Sequence, residues 1–151
     1  MKNLVKTLLT TNPDIAFSIA RLTLGLVIFP HGAQKLLGLF GGYGYSSTMD
    51  FFTTQMGLSG IIAFLIIMIE FFGSISLILG FISRFWALSL AGMFMGIIYT
   101  TQLEHGFFMN WFGNQAGEGF EYSLLIIGLA LAIIINGSGK WSIDNLISKK
   151  Q

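Results

Sequence analysis

Six polar side chains sit within or at the edges of otherwise apolar stretches: Arg21, His31, Lys35, Glu70, Gln102 and Glu121. Glu70 is the single charged residue of Gly60–Phe81. At mid-depth in hydrocarbon a carboxylate costs on the order of 2.5–3.5 kcal/mol or more unless protonated, paired or hydrated. Arg21 offers a counter-charge. An Arg21–Glu70 pair would either neutralise itself and fix helix register, or bind a polar ligand head and handle a proton. These two are the catalytic candidates. His31 and Lys35 stand four apart, one above the other on a helix. They could hold a carbonyl or anionic oxygen, such as that of a quinone or a lipid phosphate; alternatively Lys35 snorkels to the interface and His31 bonds a backbone carbonyl. Gln102 could join the same polar patch; Glu121 opens a helix, where a carboxylate suits the dipole, and with His31, Lys35 and Gln102 it is a candidate cofactor-binding residue. His31 and His105 are the only histidines, and no ligand spacing predicts a metal.

The elements that must position these groups are long and apolar. Twenty-odd residues at about 1.5 Å rise each cross a hydrocarbon core of roughly 30 Å. Such stretches predict an all-α integral membrane protein, an up-down-up-down bundle of four transmembrane helices. One domain, 1–151, carries spans at about 15–39, 60–82, 85–101 and 120–135. Asn12-Pro13-Asp14 reads as the entry to the first span, and the short link Ile82-Ser83-Arg84 forces the third to run back along the second. Residues 41–59 and 102–119 are the long connections; the loop aromatics Trp111 and Phe112 read as an interfacial belt, or alternatively as the wall of a quinone entrance. Gly92-x-x-x-Gly96 allows a close helix neighbour, either within the bundle or in a homodimer.

Charged residues make up 10% of the chain and hydrophobic ones 54%, a balance that places it in lipid. A net charge of +1 with dispersed cations argues against a nucleic-acid partner. The absence of cysteine excludes thiol redox chemistry within the chain. The first apolar run reads as a retained span. Lys2, Lys6, Arg84, Lys140, Lys149 and Lys150 fall on one side of a four-span topology, so both termini are expected in the cytoplasm, with the chain in the inner (plasma) membrane. Helix rise from that side places Arg21 about 8 Å deep, Glu70 about 18 Å, His31 about 22 Å and Lys35 near the far surface.

Several pieces in order carry a family resemblance. They are Arg21-Leu-Thr-Leu-Gly25, Phe29-Pro-His31-Gly32-Ala-Gln-Lys35 with Gly38, and Glu70-Phe-Phe-Gly73. Gly80-Phe-Ile-Ser-Arg84, Gly119-Phe-Glu121 and Gly137-Ser-Gly139-Lys-Trp-Ser142-Ile-Asp144 follow. Together they cover Arg21 to Asp144, and the chain resembles the DoxX family of small four-span membrane proteins. The resemblance implies a membrane-bound redox role, since relatives include a quinone-linked subunit of an archaeal thiosulfate oxidoreductase. Others are linked to membrane oxidoreductase complexes with soluble redox enzymes, or to resistance to quinone-like electrophiles. The family's polar positions fall here on Arg21, His31, Lys35, Glu70, Arg84 and Glu121. The leading expectation is therefore a quinone-binding subunit of a membrane oxidoreductase, with a quinone as cofactor. The alternatives are a small-molecule or proton permeation protein, or a membrane anchor for a soluble redox partner.

Overall fold

The computed structural model describes residues 7–149; Lys2, Lys6 and Lys150, which enter the orientation argument, lie outside the described residues. Every regular element among the described residues is helical. Three helices are long and apolar enough to cross a membrane: α1 (Ile15–Leu37), α3 (Gly60–Leu79) and α4 (Ser83–His105). A shorter helix, α2 (Gly44–Asp50), continues into a π-helical turn at Phe51–Gln55. The apolar α5 (Glu121–Asn136) has 16 residues, and α6 (Ile143–Ser148) lies in the tail.

Local chemistry sets the boundaries. Asp14 caps α1 by accepting from the Ala16 amide at 2.8 Å, and Ser59 caps α3 by accepting from Ile62 at 3.4 Å. Gly38 ends α1 in the left-handed conformation at φ 72°, which a residue with a Cβ adopts reluctantly. Pro30 is accommodated inside a helix that remains continuous. The residues expected to form a connection at 41–59 instead fold into α2 and its π turn, and Phe52 is buried there with Ala63 and Ile67.

α1 packs on α3 and α5, and α4 packs on α5 and on the second half of α3. Leu24, Ile28, Leu77, Leu90, Ala130 and Ile133 form the shared core, each 1% exposed or less. The first half of α3, Gly60–Met68, packs on α1 and α2 rather than on α4, so a cleft opens between α3 and α4. At most 33% of the apolar window of each long helix is buried inside the chain, leaving residues such as Ile61, Leu88 and Leu125 to contact lipid.

Two glycines bring α1 against α3. A Cβ at Gly32 would lie 2.5 Å from the Phe71 amide nitrogen, and one at Gly25 would lie 3.0 Å from the Ser74 carbonyl. The backbone facing Gly32 belongs to a π-helical turn, Ile69–Gly73. A second π turn interrupts α4 at Ile98–Gln102. Each inserts one extra residue into a helical repeat, and such turns recur at functional sites.

Candidate functional site

Glu70 sits within the Ile69–Gly73 π turn and is 5% exposed. Its partner is Lys35, not Arg21: Lys35 Nζ donates to Glu70 Oε2 at 2.5 Å. The physical reason is the direction of the side chains. In a helix each Cα–Cβ bond tilts toward the N-terminus. On antiparallel α1 and α3, Lys35 and Glu70 therefore lean toward each other, while Arg21 leans away. Depth counted from backbone rise alone misplaces the long side chains, and Lys35 turns inward rather than to the interface.

Glu70 lines a cavity of about 590 Å³ in the cleft between α3 and α4, with Phe52, Met56 and Leu58 also in its lining. Its wall is apolar apart from Glu70, Ser89, Thr100 and Thr101. Gly92 and Gly96 face it with open space: a Cβ at either would meet nothing within 4 Å. The small-residue face is thus not packed within the chain. His31, Lys35, Gln102 and Glu121 do not line this cavity. A second, more open depression of about 710 Å³ lies beside α2, lined by Tyr43, Ser46, Asp50 and Gln55 among others, away from the Lys35–Glu70 pair.

Arg21 belongs to a separate centre. It is fully buried, and its guanidinium donates to the carbonyls of Leu77, of Ile78 at 2.7 Å, of Ser138 at 2.8 Å and of Trp141 at 2.6 Å. Leu77 and Ile78 supply carbonyls of the last turn of α3, of which the Leu77 carbonyl also accepts from the Gly80 amide at 3.1 Å. Asp144, also fully buried, does the complementary work at the start of α4 by accepting from the amides of Ile82 at 2.8 Å and Ser83 at 3.1 Å. It also accepts from Ser138 Oγ, and its own amide donates to the Gly80 carbonyl at 2.9 Å. A cation at a helix C-terminus and an anion at a helix N-terminus both suit the dipoles. Ile82, which holds the turn at φ 49°, is fixed by Asp144 in a conformation costly for a β-branched residue. The sequence reading noted the Gly137–Asp144 pattern but gave Ser138 and Asp144 no partner. No local signal points from either to Arg21.

The remaining candidates are dispersed. His31 is exposed on α1, apart from the cavity. Gln102 Oε1 accepts from Ser123 Oγ at 2.7 Å, tying α4 to α5. Glu121, in the first turn of α5, accepts from the Met109 amide at 3.0 Å and from Trp111 Nε1 at 2.9 Å, so it anchors the second long connection. Arg84 donates to the carbonyls of Thr10 and Ile134.

Apolar helices with a partly buried Lys–Glu pair beside an oily cleft define a membrane protein with a polar centre. The model of the DoxX family matches residues 16–103, and the chain belongs to that family. It is 30% identical over 137 residues to Inner membrane protein YqjF of Escherichia coli (strain K12), spanning 91% of this chain and 95% of that one. It is 29% identical over 136 residues, 90% of each chain, to a Bacillus subtilis (strain 168) protein named "Putative oxidoreductase CatD". No solved structure matches.

Proposed function

We propose that the chain is a quinone-binding subunit of a membrane oxidoreductase, with the ligand seated in the α3–α4 cavity. The observation that carries this reading is one carboxylate, held by a lysine, on the wall of an otherwise oily cavity of about 590 Å³. Ligand pockets of this kind combine apolar walls with few orienting polar groups. The name of the Bacillus relative supports a redox role. Lys35 holds one carboxylate oxygen of Glu70, which leaves the other oxygen to orient a ligand. Arg21, His31, Gln102 and Glu121 take no part in this reading.

The test is organic extraction of the protein, purified in mild detergent, with mass spectrometry for quinones. Wild type should yield close to one quinone per chain. Gly92→Phe, which fills the cavity from a position with free space around it, should yield little. Equal recovery from both would place the ligand elsewhere. No recovery of quinone or hydroquinone, even after incubation with either added form, would end the proposal.

We further propose that α1, α3, α4 and α5 all cross the inner membrane in an up-down-up-down bundle with cytoplasmic termini. At about 24 Å the 16-residue α5 is short for a 30 Å core, so the bilayer thins at its ends or the flanking aromatics sit within the interface. Because the chain has no cysteine, single replacements report directly. A membrane-impermeant maleimide should label Ser46→Cys in intact cells and Lys140→Cys only after lysis. The reverse pattern would invert the topology, and labelling of both in intact cells would break the four-span scheme.

A further inference from the structure

The polar groups on the cavity wall share one property: none has a hydrogen-bond donor left to offer. Ser89 Oγ already donates to the Phe85 carbonyl at 3.0 Å, Thr100 Oγ1 to Gly96 at 2.8 Å, and Thr101 Oγ1 to Ile97 at 2.8 Å. A hydroxyl has one hydrogen to give, so each of the three can only accept from a ligand. Glu70 is an acceptor when ionised, and Lys35 takes Oε2. Glu70 Oε1 receives no hydrogen bond from the described residues. Lys35, whose ammonium would be a donor, is bound to Glu70 and does not line the cavity.

We propose that this cavity selects the hydroxyl-bearing, reduced form of its ligand, a hydroquinone, over the carbonyl-bearing quinone. The inference rests on the quinone-site reading and specifies which oxidation state the site holds. A hydroquinone O–H donates to Glu70 Oε1 and is oriented by it, with the second hydroxyl free to meet a threonine or serine oxygen. A quinone presents two carbonyl acceptors to a wall of acceptors. Its oxygens gain no donor there, so it forgoes the hydrogen bonds that the hydroquinone makes. The apolar remainder fits the rest of the cavity, where the open side of Gly92 and Gly96 lies along about 18 Å of α4 from Ser89 to Thr101.

The test is anaerobic binding to the detergent-purified protein of three forms of one probe, a decyl-substituted benzoquinone. These are the quinone, its hydroquinone, and the dimethyl ether of that hydroquinone. The hydroquinone should bind about tenfold or more tighter than either of the others, the scale of one hydrogen bond to a charged acceptor. Glu70→Gln, whose amide supplies a donor, should narrow or reverse the preference. Gly92→Leu, in open space, should weaken all three forms and thereby place binding in this cavity. Equal affinity for quinone and hydroquinone, or tighter binding of the quinone, would overturn the inference while leaving the site itself standing. Absence of binding by every form would overturn both. If a dimer that Gly92→Leu splits accompanied that absence, the cleft would belong to a second copy of the chain.

Discussion

Replacing Arg21 by alanine is expected to release residues 137–148 from the ends of α3 and α4. The change removes donors to four carbonyls, two on α3 and two in the tail. It also frees the Ser138 segment, whose hydroxyl is bound by the fully buried Asp144. Each buried acceptor left unpaired costs about 1–3 kcal/mol, which makes this a large effect. The thermal unfolding midpoint in detergent should fall markedly, and protease should cut in the Gly137–Ser142 stretch. Arg21→Lys should recover little of this, since a point-like ammonium cannot divide its bonds among carbonyls on two elements as the planar fork does. Asp144→Ala should resemble Arg21→Ala, because it frees the turn at Ile82 from the same centre. An unchanged midpoint with an uncut tail in Arg21→Ala would refute the capping role and restore Arg21 as a candidate for ligand or proton handling.

Gly32→Ala is expected to separate α1 from α3 and to break the Lys35–Glu70 pair with it. The added methyl would sit 2.5 Å from the Phe71 nitrogen and 2.6 Å from the Glu70 carbonyl carbon. Both are backbone atoms, which cannot rotate away. Overpacking of this kind costs about 1–3 kcal/mol or more. Lys35 follows Gly32 by three residues, so a displaced α1 carries the ammonium away from Glu70. Gly92→Ala serves as the control. It lies in a helix with nothing within 4 Å of the new methyl, and replacing a helical glycine by alanine favours the helix by up to about 1 kcal/mol. The two substitutions should therefore move the unfolding midpoint in opposite directions. A Gly32→Ala protein as stable as Gly92→Ala would mean that the close approach of α1 and α3 does not govern stability.

Much of the architecture was legible because hydrocarbon imposes simple rules on sequence. Charged residues at 10% and uninterrupted apolar runs leave no soluble solution, and the run from Gly60 announces a helix by length alone. The caps at Asp14 and Ser59, and the Gly38 terminus, are local and follow from residue type. Glu70 stands out in any reading, because an isolated carboxylate in such a run demands a partner. The family motifs are likewise carried by the chain itself.

Which partner Glu70 takes was decided only by the tertiary structure. The sequence reading compared backbone depths and chose Arg21. Side chains on antiparallel helices lean in opposite directions, and that tilt brings Lys35 to Glu70 while sending Arg21 to the ends of α3 and the tail. The π turns at Ile69–Gly73 and Ile98–Gln102 have no sequence signature, and each shifts the following residues by about 100° around the helix. Facing predictions carried past them fall out of register. The cavity depends on the divergence of α3 from α4 over Gly60–Met68, a property of how helices pack rather than of either helix. The Arg21–Ser138–Asp144 centre joins residues more than one hundred positions apart. The sequence alone determined the solvent, the helices and the charge that had to be satisfied. The directions of side chains and the gaps between helices determined how it is satisfied.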